Sequence, residues 1–118
     1  MGVIARVALD EGALTGLIRS GVTFPEGDWR NWYFREDRPD QVEKRVDTLL
    51  ADLDLGVDEL ASTALRFALA GQAVSTVIVG MRSLTNVERD AAIADAPPLT
   101  AEELALLARH RWQKNLYS

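Results

Sequence analysis

In the stretch "VIVGMRSLTNVERD", Val77 to Asp90, a run of β-branched residues stops at Gly80 and is followed at once by Met81, Arg82 and Ser83. Glycine lets a backbone turn closely, arginine carries a planar donor fork suited to phosphate or carboxylate, and serine can cap a helix or donate to the same oxygens. A helix that starts there adds unpaired N–H groups and a partial positive charge. Asn86 and Arg89 fall about one and two turns further along. The chemistry that such a group offers is the holding of an anion, and the plainer alternative is a strand end, a cap and two solvated arginines.

The stretch "LDEGALTG", Leu9 to Gly16, repeats the situation. Gly12 and Gly16 permit close approach of the backbone to a ligand and Thr15 adds a hydroxyl, whereas Asp10 and Glu11 would repel a phosphate unless turned away. Between these two sites "FPEGDWRNWYF", Phe24 to Phe34, gathers aromatics that either pin a loop to the body of the protein or line an apolar pocket. Anchoring is the reading we favour there.

Other chemistry is thinly represented. No cysteine occurs in the 118 residues, which excludes disulfides, thiolate metal sites and thiol nucleophiles. His110 is the sole histidine and sits with Arg109 and Arg111 where a helix C-terminus favours cations, so neither a metal site nor a catalytic role is assigned to it. Tyr33, Tyr117, Lys44 and Lys114 are the only phenols and amines, and no acid–base constellation assembles from them at the strand ends.

The elements that must position these residues read as follows. A buried strand is expected over Val3 to Leu9, then a long loop over 10–39. A helix follows with Val42, Val46, Leu49, Leu50 and Leu53 on one face and Gly56 as terminator, and another begins at Asp58 and ends near Gly71. A second strand covers Val74 to Val79, and Ser83 caps a helix running to about Ile93. Pro97 and Pro98 break the chain. Thr100 with Glu103 forms a capping box, and Leu99 with Leu104 a hydrophobic staple, for a last helix over 101–112. Strands that read as continuous apolar runs between helices indicate a parallel α/β arrangement.

One domain is the expectation for 118 residues with 47% hydrophobic and 26% charged residues. A net charge of −5, with no dense basic block, gives no support to nucleic-acid or anionic-membrane binding. The N-terminal residues lack the pattern of a secretory signal and no run of 18 apolar residues occurs, so a cytoplasmic protein is expected.

Taken together, "LDEGALTG", the "fpeGDxRxxYF" loop at Phe24 to Phe34, "VEKRVD" at Val42 to Asp47, "ALRFAL" at Ala64 to Leu69, "VSTVIVGMRSLTNVERD" and "LTAEELALL" resemble, in order, the C-terminal part of an aldo/keto reductase. This is the (β/α)8-barrel family that reduces carbonyls with NADPH, and the likeness is to a branch common in actinobacteria. The resemblance implies a partial TIM barrel, strands seven and eight with their helices, filling residues 1–118 as one partial domain. It implies an NADP(H) site in which Leu9, Gly12, Leu14 and Gly16 lie beside the pyrophosphate. Gly80, Met81, Arg82 and Ser83 would meet the 2'-phosphate, with Asn86 and Asp90 near the adenine. Asn86 stands where that family usually has glutamine, Asp90 where it has asparagine, and Ala8 where it has proline.

The family's catalytic residues come from earlier strands, so an oxidoreductase segment without catalytic residues of its own is what the resemblance implies. A closed barrel takes about 250 residues, and cut strand edges need covering. A homo-oligomer or a complementing barrel fragment is therefore expected as partner. Two alternatives stand beside it: a non-catalytic oligomeric or partner-binding protein of the same descent, and a small enzyme that reuses Asp28, Arg30, Glu11 and Arg82.

Overall fold

The computed structural model describes residues 1–113 and 117. Two strands, β1 (Val3–Ala5) and β2 (Val74–Val77), pair in parallel, and five helices follow the chain as α1 (Arg30–Tyr33), α2 (Arg38–Leu53), α3 (Leu60–Leu69), α4 (Leu84–Ala92) and α5 (Ala101–Arg109). Short 3-10 turns occupy Asp10–Thr15, Val57–Glu59 and Ile93–Asp95.

The architecture is predominantly helical, and this corrects the expected partial TIM barrel. A barrel closes because every strand is paired on both sides. Here, among the described residues, the sheet is β1 beside β2 and nothing more, so each strand keeps one open edge. Val3 pairs with Val74, Ile4 with Thr76 and Ala5 with Val77, with an irregularity after Val3. The strands are also short. β1 ends at Ala5 rather than Leu9 because Val7 (φ 57°), Asp10 (φ 48°) and Glu11 (φ 54°) take the left-handed conformation, which ends extended pairing. β2 stops at Val77, although the Ile78 N–H still donates to the Ala5 carbonyl at 2.9 Å.

The core lies away from the sheet. Ala13, Ile18, Tyr33, Phe34, Val42, Val46 and Leu60 form one buried cluster, so the aromatic loop, α2 and the start of α3 hold the molecule together. Ile4 and Ile78 are by contrast 63% and 57% exposed. Anchoring by the loop is realised: Tyr33 packs edge-on against Phe34 at 4.8 Å and Trp29 against Tyr33 at 5.5 Å.

Helices α2 to α5 form where their sequences place them, with shifted ends, whereas α1 and the 3-10 turn Asp10–Thr15 fall inside the stretch 10–39 expected as a loop. Val42 and Val46, one turn apart, bury the inner face of α2, and Pro39 in its first turn suits a position whose N–H has no helical partner. Asp54, not Gly56, terminates α2, in a left-handed cap whose N–H reaches the Ala51 and Leu50 carbonyls. The Glu59 carboxylate accepts from the Gly56 N–H at 2.9 Å, so Gly56 rather than Asp58 caps the next helical segment, which begins at Val57. Ser83 caps α4 as expected, its Oγ accepting from the Asn86 N–H at 3.2 Å. The Thr100–Glu103 box is complete, at 3.1 and 2.7 Å, and α5 ends at Arg109.

Candidate functional site

Because the strands are parallel, the segments after β1 and after β2 leave the same end of the sheet. The ten residues singled out for the cofactor fall into these two segments and the helix that follows the second. In the first, the Leu9 carbonyl accepts from the N–H groups of Gly12 (3.0 Å) and Leu14 (3.1 Å), and the Thr15 hydroxyl donates to the Gly12 carbonyl at 2.6 Å. The amides of Gly12 and Leu14 are thus turned inward on the loop itself. Gly16 is left-handed (φ 79°) and passes so near Val57 that a β-carbon would sit 2.2 Å from its Cγ2.

In the second segment Gly80, Met81, Arg82 and Ser83 are exposed and the Asn86 amide is taken by the cap. Asp90 is buried. Arg89 reaches its Oδ1 with Nε at 3.0 Å and Nη2 at 2.9 Å, and Oδ2 has no partner among the described residues. Asp28 and Arg30 form a two-point pair, Nε to Oδ1 at 3.0 Å and Nη2 to Oδ2 at 2.7 Å, with the Arg30 N–H also on Oδ1 at 2.9 Å. Those bonds, helped by the charge of Arg82, hold the Asp28 carboxyl down at about 2. Arg82 therefore lies near enough to this pair to be felt electrostatically.

The carboxylates that follow β1 are held by phenols. Tyr33 donates to Asp10 at 2.9 Å, and Tyr117 donates to Glu11. Burial, reinforced by the bond to Asp10, pushes the Tyr33 phenol well above its ordinary range, and Glu11 raises Tyr117 in the same sense. A phenol so held is a poor acid near neutrality, so these pairs brace the loop rather than move protons. Among the described residues no cluster of three His, Cys, Asp or Glu side chains can hold a metal.

A cleft of about 650 Å³ lies beside Asp10. Ala13 and Leu14 form one wall, Val46 and Leu49 of α2 a second, Ala64 and Phe67 of α3 a third. Leu107 and Trp112 close it from the C-terminal side. The polar groups on its surface are few: Asp10 and Thr63, then Arg45, His110 and Arg111. A smaller cavity of about 360 Å³ shares Arg45, His110 and Trp112 with it and adds Lys44. The Arg45 guanidinium stands 5.2 Å from the Trp112 ring centre, and His110 Nε2 lies 3.0 Å from an oxygen of Asp52.

No protein-family model, no curated protein and no solved structure matches the chain.

The resemblance to aldo/keto reductases is accordingly withdrawn. No family likeness supports it, and the open two-stranded sheet in a mostly helical chain is not a barrel segment. With it go the NADP-dependent oxidoreductase reading and NADP(H) as cofactor, since both rested on that likeness. What the geometry brings together instead is a cleft whose lining comes from residue 8 to residue 112. Sequence reasoning missed it because no local motif spans those positions. One signal was present: α3 is apolar on more than one face, with Leu65 buried on one side and Phe67 41% exposed on another. No helix among the described residues is long and apolar enough to cross a membrane.

Proposed function

We propose that this protein is a binding module whose cleft takes a small, largely apolar ligand. The observation that carries the reading is the cleft itself. Its volume of about 650 Å³ falls among the pockets of roughly 300–1,000 Å³ that bury small molecules behind mostly apolar walls with a few polar groups. Walls drawn from both ends and the middle of the chain support treating residues 1–118 as one domain. The cytoplasm is the location we propose, on the lack of cysteine.

Titration with 1-octanol, followed through the methyl resonances of Leu14, Leu49 and Leu107, tests the proposal. Saturable shifts confined to those methyls are expected, together with their loss in Ala64→Trp, which fills the cleft from α3. Shifts that never saturate, or that spread evenly over the surface, would sink it.

A second reading rests on the sheet. Ile4 and Thr76 are partners in the register, and the exposed Ile78 follows two residues after Thr76, so strand alternation puts an apolar pair on one face beside two strand edges that are unpaired among the described residues. Leu84 is 73% exposed at the start of α4. Association of two copies over this face is the partner we propose. Sedimentation at micromolar concentration should give about twice the 13.0 kDa of one chain, and Ile4→Lys with Ile78→Lys should return it to that value.

A further inference from the structure

Resting on the reading of the cleft as a ligand site, we propose that its ligand is an amphiphile with an oxyanion headgroup, held by Arg45 and Arg111, with its tail along α2 and α3. Among the described residues neither arginine has a carboxylate within ion-pair distance, as is also true of Arg6, Arg66, Arg82 and Arg109; what sets the two apart is that both line the cleft. Both guanidiniums line a largely apolar cleft, and Lys44 lines the adjoining cavity with Arg45. His110 also lines the cleft but already faces Asp52.

The geometry of the cleft suits a head and a tail. Arg45 lies over the Trp112 ring, which limits the directions its fork can take while leaving its N–H edge without a carboxylate. Apolar side chains of α2, α3 and α5 continue from it into the cleft. Asp10, the one carboxylate in the lining, belongs to the wall formed by the 3-10 turn after β1 and is engaged by Tyr33. An oxyanion is therefore attracted to the arginines and repelled by Asp10, which orients the molecule as well as holding it.

The test compares octanoate, octyl phosphate, 1-octanol and acetate by titration calorimetry, each below the concentration at which it forms micelles. Octanoate is expected to bind about tenfold or more tightly than 1-octanol, as a charge-assisted contact allows, and acetate hardly at all. In Arg45→Ala and Arg111→Ala the affinity for octanoate should fall toward that for 1-octanol while the latter stays unchanged, and Arg45→Lys should restore part of it. Octyl phosphate binding better than octanoate would assign the headgroup to phosphate, worse to carboxylate, either supporting the oxyanion. Equal affinity for octanoate and 1-octanol would overturn the headgroup and leave the apolar cleft standing. Binding of neither would remove the cleft reading too. An Arg45→Ala variant that loses 1-octanol equally would mean that Arg45 only props Trp112, and would overturn its role.

Discussion

Tyr33 and Asp10 stand 23 positions apart and are joined by a 2.9 Å hydrogen bond that ties the core to the edge of the cleft. Asp10 keeps a left-handed backbone (φ 48°), and Tyr33 is among the most deeply buried side chains. The bond therefore holds a strained turn against a rigid element. Tyr33→Phe should cost about 1.5 kcal/mol in urea unfolding, the lower end for a bond to a charged group, with little change in the packing of the ring.

The same bond sets a pH dependence. Burial and Asp10 raise the Tyr33 phenol, so above about pH 10, where a free tyrosine ionises, the unfolded chain releases a proton that the folded one retains. Stability is then fully present below that pH and falls as pH rises further. Tyr117 acts in the same sense through Glu11. Urea midpoints measured between pH 8.5 and pH 11, a range of about two and a half units around the phenol value, should decline in the native chain and decline less in Tyr33→Phe.

Asp28 should titrate near 2, because Arg30 bonds both of its oxygens. Its contribution to stability is present above the ordinary carboxylate range and is lost as pH falls through that value. Carbon-detected NMR of the side-chain carboxyl gives the midpoint directly. Arg30→Ala should move it up strongly and Arg82→Ala slightly, since Arg82 acts only through its charge. An Arg82→Ala midpoint identical to the native one would show that the loop carrying Asp28 and the segment after β2 do not approach in solution.

Gly16→Ala should be among the more damaging single-methyl changes. The left-handed backbone costs a residue with a β-carbon roughly 1–2 kcal/mol, and the contact with Val57 adds to it. Val57→Ala in the same chain should return the part due to contact but not the part due to φ. A double-mutant cycle separates the two.

Asp90 is expected to be replaceable at a gain. Its Oδ2 is buried without a partner among the described residues, while Arg89 is exposed enough to keep its own hydration. Asp90→Leu keeps the branching at Cγ and removes an oxygen whose burial costs about 1–3 kcal/mol. Thermal unfolding should shift upward. A downward shift would mean that the pair with Arg89 outweighs the orphaned oxygen.

Local chemistry was legible and distant pairing was not. Ser83 and the Thr100–Glu103 box were read correctly because a cap depends on residues three positions apart. The inner face of α2 was legible for the same reason, through Val42 and Val46. The end of β1 was misread, since nothing in "VIARVAL" announces that Val7 turns left-handed. The barrel failed at a longer range: two apolar strand-like runs do not reveal how many neighbours each will find. The cleft escaped altogether, because Asp10, Arg45, Ala64 and Trp112 meet only once the helices have packed.

Since the buried cluster runs from Ala13 to Leu60 and leaves the sheet at the margin, the chain has two tiers of protection against solvent exchange. Amides in the middle of α2 can open only when the whole molecule does, and their exchange reports global unfolding. Those of β2 and α4, with Ile78, Leu84 and Val87 facing water, can open while the aromatic nucleus stays intact. A partial unfolding that releases residues 74–92 and spares 33–60 is the low-energy excursion expected of this fold, to be read from hydrogen exchange.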